Sequence, residues 1–175
     1  MKNYYCGIDI GKSGYAAILD ESVKLVALIH LGRVQDGRDS EKDFVDPMNL
    51  VLSIEKAIPG RRSIFFFIED QFRNKSTLID LGSILASCII FKQRNVDSLN
   101  HDIARVPARS WMSAMSVTSN KKEHIAVARQ YFPESVLSTM THDQADALCI
   151  ALYGMQKKIG DILFDKSETV IEEEE

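Results

Sequence analysis

The sequence predicts an α/β protein with a central mixed five-stranded sheet flanked by helices. Three apolar segments separated by short turns come first, which favours antiparallel strands. An unbroken apolar run and one further strand-like segment then alternate with segments whose apolar residues recur at helical spacing. Strands that alternate with helices in this way form a sheet covered by those helices. The five predicted strands are 4–10, 15–19, 23–31, 64–68 and 103–106.

Helix starts are marked by capping residues. Asp46 and Pro47 are typical of a first helical turn, and Asn120 is a typical N-cap with Glu123 at the offset needed to reach back to it. Thr141 is the expected cap of the last helix. The predicted helices are 47–58, 77–91, a short segment after Pro107, 121–131 and 141–158.

Two other segments are predicted to lie outside the helices and strands. Residues 32–47 mix Gly, Asp, Arg, Ser and Glu with few large apolar residues, which predicts an exposed, mobile loop. Residues 166–175 end in a run of Glu, which predicts a disordered acidic tail. Residues 1–165 are then expected to form a single domain.

Composition predicts a soluble protein of the reducing intracellular compartment. The chain has 45% hydrophobic residues, and its three cysteines show no C-x-x-C spacing. We find no signal-peptide pattern and no apolar stretch of about 18 residues, so we expect a cytoplasmic protein without membrane insertion. The net charge is −4, yet residues 61–129 hold 11 Lys and Arg against 6 Asp and Glu. This basic middle region is compatible with a nucleic-acid partner, although scattered basic residues are more often solvated helix faces.

Four carboxylates are the candidate metal ligands: Asp9, Glu69, Asp143 and Asp146. Each stands at the end of an apolar segment or on the last predicted helix. Acids in such places cost solvation energy and repel one another unless a positive charge compensates them. Oxygen ligands favour hard cations such as Mg²⁺, whereas the four histidines show no zinc-ligand spacing.

The order of the predicted elements is that of a ribonuclease H-like fold. In this arrangement the first and fourth strands lie side by side at the sheet centre, so Asp9 and Glu69 can converge. Asp143 and Asp146 are three residues apart on one helix and share a face. This spacing permits a shared site without requiring one, because Asp-x-x-Asp is also common as surface charge.

Three motifs in this order resemble the RuvC-type Holliday junction resolvases, in particular their phage and poxvirus-like branch. The resemblance covers nearly the whole chain. The first is weakly specific, because sugar kinases and actin-like ATPases also begin with an Asp-x-Gly strand. The three motifs are Gly7-Ile8-Asp9-Ile10-Gly11, Ile68-Glu69-Asp70-Gln71-Phe72 and His142-Asp143-Gln144-Ala145-Asp146-Ala147-Leu148.

The resemblance implies a crossover junction endodeoxyribonuclease that binds four-way DNA junctions as a homodimer and nicks two opposing strands. Asp9, Glu69, Asp143 and Asp146 match the metal-binding quartet of the family, which implies two Mg²⁺ ions per site, with Mn²⁺ as a substitute. Two such ions about 4 Å apart suit phosphodiester hydrolysis. The catalytic lysine of the family corresponds to Lys121 or Lys122.

Further residues are candidates for DNA contacts. Phe72 falls where the family places an aromatic residue that enters the junction centre, although packing beneath the next loop is an equal alternative. Arg73, Asn74 and Lys75 are placed to meet backbone phosphates. The family often has a second lysine soon after the Pro-x-x-x-Trp element, whereas Met112 follows Trp111 here, so Arg109 is the substitute candidate. Trp111 itself is expected in the core.

Three other functions remain open at the sequence level. Gly11-Lys12-Ser13-Gly14 suits the phosphate-binding turn of an actin-like ATPase, but that fold needs a second such domain. The second is a catalytically silent junction-binding protein, against which the intact quartet argues, and the third is a broader branched-DNA nuclease with the same chemistry. DNA cleavage assays separate these two from a resolvase.

Overall fold

The computed structural model describes residues 2–34, 44–60, 62–70, 75–94, 103–132 and 139–168. Side chains at 62, 75, 76 and 159–168 are outside this description. The strands are β1 (Lys2–Asp9), β2 (Tyr15–Asp20), β3 (Leu25–His30), β4 (Arg33–Val34), β5 (Phe44–Val45), β6 (Arg62–Asp70) and β7 (Ile103–Pro107). The helices are α1 (Pro47–Ala57), α2 (Lys75–Arg94), α3 (Ala108–Ala114), α4 (Lys121–Tyr131) and α5 (His142–Glu168).

The predicted mixed five-stranded sheet is confirmed. Its strand order is β3-β2-β1-β6-β7. β1 pairs with β2, and β2 with β3, in antiparallel fashion, whereas β1 with β6 and β6 with β7 are parallel. β1 and β6 are therefore neighbours in the sheet interior, and their carboxyl ends meet at one edge.

Side chains alternate between the two faces of the sheet, and each face has its own core. Ile8 of β1 and Phe66 of β6 face the layer formed by α1 and α2. Tyr5 of β1 and Phe67 of β6 face the layer formed by α3, α4 and α5. Because side chains on a strand alternate with a period of two, Asp9 and Glu69 belong to the second face. The first turns of α5 are on the same side.

Small residues let α5 approach the sheet closely. A Cβ atom on Gly7 would lie 2.2 Å from the backbone nitrogen of Ala151 and 2.4 Å from the carbonyl oxygen of Ala147. On α5 itself, a Cβ on Gly154 would meet the ring of Phe67 at 2.1 Å. Gly7 is two residues before Asp9, so this contact fixes where α5 begins relative to the end of β1.

The predicted loop at 32–47 is partly wrong, because its ends form the two-stranded antiparallel sheet of β4 and β5. Asp80 on α2 holds this small sheet in place. Its carboxylate lies 2.6 Å from Arg33 Nη2 and accepts a hydrogen bond of 3.0 Å from the backbone nitrogen of Val45. These contacts join residues at least 35 apart in sequence, which local composition does not reveal. Residues 35–43 lie outside the described part.

Helix α5 is longer than predicted. It continues past Lys158 to Glu168, so the expected domain boundary at 165 lies within the helix. Ile159, Ile162 and Leu163 continue the apolar helical spacing there. Residues 169–175 of the predicted tail lie outside the described residues.

The cap predictions hold with one difference. Asp46 accepts from the backbone nitrogens of Met48 and Asn49, and Asn120 accepts from that of Lys122. Glu123, however, reaches back to the backbone nitrogen of Thr118 at 2.8 Å and to the side chain of Asn120, not to the Asn120 backbone.

None of the described helices is both long enough and apolar enough to cross a membrane. All three cysteines are buried and unpaired. Burial raises the pKa of the Cys149 thiol to about 12.

Candidate active site

Asp9 and Glu69 lie side by side at the carboxyl ends of two parallel strands. Ile8 pairs with Ile68 in the β1–β6 ladder, so the residues that follow them are adjacent. Both side chains are almost fully buried, with exposed fractions of 3% for Asp9 and 5% for Glu69. Two acids therefore stand next to each other in a region that the fold largely shields from water.

The other two acids come from the start of α5. Thr141 and Gln144 cap this helix reciprocally: the Thr141 backbone donates to Gln144 Oε1 at 2.9 Å, and the Gln144 backbone donates to Thr141 Oγ1 at 3.3 Å. The cap fixes the first turn, which carries Asp143, and the next, which carries Asp146. Negative charge is favourable at a helix N-terminus, where backbone N–H groups are unpaired.

All four carboxylates line one cleft. Asp70, also at its wall, is ion-paired with Arg105 at 2.6 Å. His142 lies 3.2 Å from Asp143. The lining residues are Asp9, Gly11, Lys12, Ser13, Glu69, Asp70, Ala108, Trp111, Met112, Ser119, Lys121, His124, His142, Asp143 and Asp146.

The acids perturb one another. Burial raises the pKa of Asp9 well above its usual range, and the negative charges of Glu69, Asp146 and Asp143 raise it further. Asp9 also shares a hydrogen bond with Glu69 that favours its protonated form. Burial likewise raises the pKa of Asp146, against an opposing effect from His124. The cleft thus holds more negative charge than its surroundings neutralise.

Two buried aromatic side chains hold two of these acids. The indole nitrogen of Trp111 donates to Glu69 Oε1 at 3.0 Å. His124 Nδ1 lies 2.6 Å from Asp146 Oδ1, and its Nε2 lies 2.6 Å from the carbonyl oxygen of Thr118. The prediction that Trp111 is a core residue is confirmed, but its contact with Glu69 was not predicted. His124 was missed altogether.

Of the two candidate lysines, the structure brings Lys121 to the cleft. Both lysines are exposed, but Lys121, three residues before His124 on α4, is among the described lining residues and Lys122 is not. Arg109 is exposed on α3, between lining residues Ala108 and Trp111, without lining the cleft itself.

Most candidate DNA contacts after β6 fall outside the description. Phe72, Arg73 and Asn74 lie outside the described residues, and Lys75 begins α2 with its side chain undescribed.

The donor set fits a divalent metal ion in chemistry and charge. Four carboxylates in one cleft offer the oxygen ligands that Mg²⁺ prefers, and their mutual repulsion would be relieved by a cation. Within the described ranges, however, no three His, Cys, Asp or Glu side chains already stand as a metal cage. Glu69 accepts from Trp111, Asp146 shares a hydrogen bond with His124, and Asp9 bonds to Glu69. We therefore expect side chains to reorient when a cation binds.

The sequence matches no protein-family model and no curated protein. Among solved structures, it is similar to Thermus thermophilus RuvC in complex with a Holliday junction substrate. The TM-score is 0.61 at 15% identity, over 90% of this chain and 96% of that one. A second T. thermophilus RuvC structure gives a TM-score of 0.55 at 14% identity, over 91% and 97%. The ribonuclease H-like fold predicted from the sequence is thus confirmed, and it is the fold of RuvC.

Proposed function

We propose that this protein is a metal-dependent endodeoxyribonuclease that resolves four-way DNA junctions by paired, symmetric nicks. The observation that carries the proposal is the convergence of Asp9, Glu69, Asp143 and Asp146 in one cleft. The cleft belongs to a fold shared with RuvC, which has been solved with a Holliday junction substrate. Because a fold alone does not fix an activity, the assignment rests on the four acids.

The four carboxylates are proposed to hold two Mg²⁺ ions, with Mn²⁺ able to substitute. Bound at such a site, the ions supply activation of a water molecule and stabilisation of the leaving 3′ oxygen. The chain itself contributes a shielded floor, formed by Asp9 and Glu69, and a wall fixed by the capped start of α5.

Lys121 is the proposed cationic partner of the scissile phosphate. It lines the cleft, and its neighbour one turn further along α4 is His124. A positive charge aimed at a phosphate whose negative charge grows in the transition state accelerates cleavage. Lys122, the next residue on α4 and not among the described lining residues, is the matched comparison.

DNA is proposed to reach the cleft across the segment after β6 and the start of α3. Phe72, Arg73, Asn74 and Lys75 follow Asp70, which lines the cleft, and Arg109 follows the lining residue Ala108. Phe72 is the proposed aromatic contact with the junction centre, and the others are proposed phosphate contacts.

A homodimer is proposed as the active form, with α2 at the interface. Leu78, Ile79 and Ile89 of α2 are exposed, as are Met48 and Leu52 of the neighbouring α1. Two identical sites related by a two-fold axis suit the cutting of two opposing strands. The proposed setting is the cytoplasm of a bacterium or of a phage-infected cell.

The test is a cleavage assay with a labelled four-way junction and a matched linear duplex, with Mg²⁺ and with a chelator. Paired, symmetric, metal-dependent nicks near the junction centre are expected. Asp146→Asn is expected to abolish nicking and retain junction binding. Lys121→Ala is expected to slow nicking by about 100-fold, the usual scale for loss of one electrostatic contact, whereas Lys122→Ala is expected to leave it near wild type.

Other results of this cleavage assay would indicate other functions. Junction binding without nicks would indicate a silent binding protein, and cuts across forks and flaps as well would indicate a broader branched-DNA nuclease. Undiminished nicking by Asp146→Asn would overturn the assignment of the acids.

A further inference from the structure

Trp111 and His124 connect the two halves of the acid cluster. Trp111, on α3, is 2% exposed and bonds to Glu69 on β6. His124, on α4, is 4% exposed and bonds to Asp146 on α5. The two rings touch edge to face, with centroids 5.1 Å apart and planes at 73°. One continuous set of buried contacts therefore runs from Glu69 to Asp146.

The far side of His124 is anchored as well. The Thr118 carbonyl oxygen can only accept, so Nε2 of His124 must carry a hydrogen and donate it. Thr118 is held in turn by Glu123, which accepts from both its backbone nitrogen and its hydroxyl at 2.8 Å. With Nε2 committed to Thr118, the ring has one remaining nitrogen, Nδ1, and that atom meets Asp146.

We propose that Trp111 and His124 are positioning residues that set the orientation of Glu69 and Asp146 for metal binding. This inference rests on the proposed function, since it assumes that the acids bind a divalent cation. A hydrogen bond to one carboxylate oxygen fixes the plane of the group and so limits where its second oxygen can point. Partners of this kind typically change metal affinity or activity by about 10-fold to 100-fold when removed.

An ordinary core role would explain part of the same geometry, because a buried indole N–H needs an acceptor. It does not explain why both buried side chains, in contact with each other, also bond to acids of the same cleft that come from different elements, Glu69 from β6 and Asp146 from α5. The two explanations differ in what substitution should do: loss of packing lowers stability, whereas loss of positioning changes affinity for the cation.

Mn²⁺ binding by calorimetry on the full chain without DNA, with melting temperature recorded in parallel, tests this proposal. Trp111→Phe and His124→Phe keep an aromatic ring and lose the hydrogen bond to the acid. Each is expected to weaken Mn²⁺ binding by about 10-fold or more. His124→Asn places an amide nitrogen where Nδ1 stood, so binding is expected to return to within about 3-fold of wild type even though the bond to Thr118 is lost.

Phe132→Leu is the matched control, since Phe132 is a buried aromatic residue at the end of α4 that does not line the cleft. It is expected to lower the melting temperature and leave Mn²⁺ affinity unchanged. Should Trp111→Phe fail to fold, the pair His124→Phe and His124→Asn decides the proposal.

Wild-type Mn²⁺ affinity in His124→Phe would overturn the proposal, as would equal losses in His124→Phe and His124→Asn. A wild-type protein that binds no Mn²⁺ would overturn it too. Mn²⁺ binding without any nicking of junctions would instead contradict the proposed function. The comparison of Mn²⁺ affinity among the variants would still test the positioning role in that case.

Discussion

At the scale of single residues, Asp9 is the acid whose charge the fold opposes most directly. Burial and the neighbouring carboxylates raise its pKa well above the usual range. A raised carboxyl pKa means that the folded state holds the proton more tightly than the unfolded chain. The resulting stabilisation is present at acidic pH and is lost as pH rises through the folded-state pKa. Raising the pH therefore costs the metal-free protein stability, which a bound cation would restore.

Removing the charge of Asp9 is expected to stabilise the metal-free protein. Asp9→Asn should raise the free energy of unfolding by about 1–2 kcal/mol at about pH 8, the gain typical of relieving a strained functional site. The gain should shrink at about pH 4, because the wild-type carboxyl is then largely protonated in the folded state. Urea unfolding at both pH values, with chelator present, measures the difference.

Asp20 provides the control for this prediction. Hydrogen bonds from Ser22 and Lys24 lower the pKa of Asp20, in spite of partial burial that acts to raise it. Its charge is thus favoured by the fold, and Asp20→Asn should not stabilise the protein. Equal gains in stability in both variants would show that the effect comes from net charge, and would contradict a specific repulsion at the site.

Added Mg²⁺ should raise the melting temperature of wild type more than that of Asp9→Asn.

The sequence was sufficient to find the acids but not the residues that hold them. Asp9 and Glu69 follow apolar strands, and Asp143 and Asp146 share a helix face; this spacing only permitted a shared site, and the resemblance to RuvC-type resolvases predicted it. Trp111 contacts Glu69 across 42 positions and His124 contacts Asp146 across 22. No local pattern encodes such pairs. The available signal was the position of His124 three residues after Lys121, on the inner face of α4.

At the scale of elements, the contact between β1 and α5 sets the geometry of the cleft. β1 carries Asp9 and α5 carries Asp143 and Asp146, so the distance between these elements decides how closely the acids approach. Glycine at position 7 permits this short distance, because a Cβ atom there would collide with backbone atoms of Ala147 and Ala151.

Gly7→Ala is expected to destabilise the fold by about 2–3 kcal/mol, since an added methyl group must push α5 away from the sheet. Gly82→Ala is the comparison: nothing lies within 4 Å of its Cβ position, and it gains helix propensity. Guanidinium unfolding should show the larger loss for Gly7→Ala. Equal losses in the two variants would mean that the backbone contact at Gly7 is not the limiting one.

Elements with strong local patterns were predictable, and those built from long-range contacts were not. The five strands and the caps at Asp46, Asn120 and Thr141 follow from alternation and from side-chain chemistry within one turn. β4 and β5 are two residues each and depend on the ion pair of Arg33 with Asp80. Such short strands have no periodicity of their own for a sequence pattern to reveal.

At the scale of the whole molecule, exposed apolar residues concentrate on one layer. Of the seven large apolar side chains that are exposed in the described part of the chain, five lie on α1 and α2. Leu78 and Ile89 are 11 residues apart on α2, which is close to three full turns, so they share one face of the helix. Gly82 lies between them on that face and has nothing within 4 Å of its Cβ position. A second copy of the chain could therefore approach α2 closely.

Replacing Leu78 and Ile89 together by Gln is expected to convert a dimer to a monomer at micromolar concentration, because both side chains lose the apolar area they would bury in the partner. Sedimentation velocity measures the change. Tyr131→Ser is the control, since Tyr131 is an exposed apolar residue on α4, in the layer on the opposite face of the sheet.

A monomer retains all four acids of one cleft, so it should still make single metal-dependent nicks. It should lose the pairing of nicks on opposing strands, because that pairing needs two sites on one junction. A double variant that stays dimeric would show that α2 does not form the interface. A monomeric double variant that still cuts both strands in a single binding event would show that the mechanism does not need a dimer.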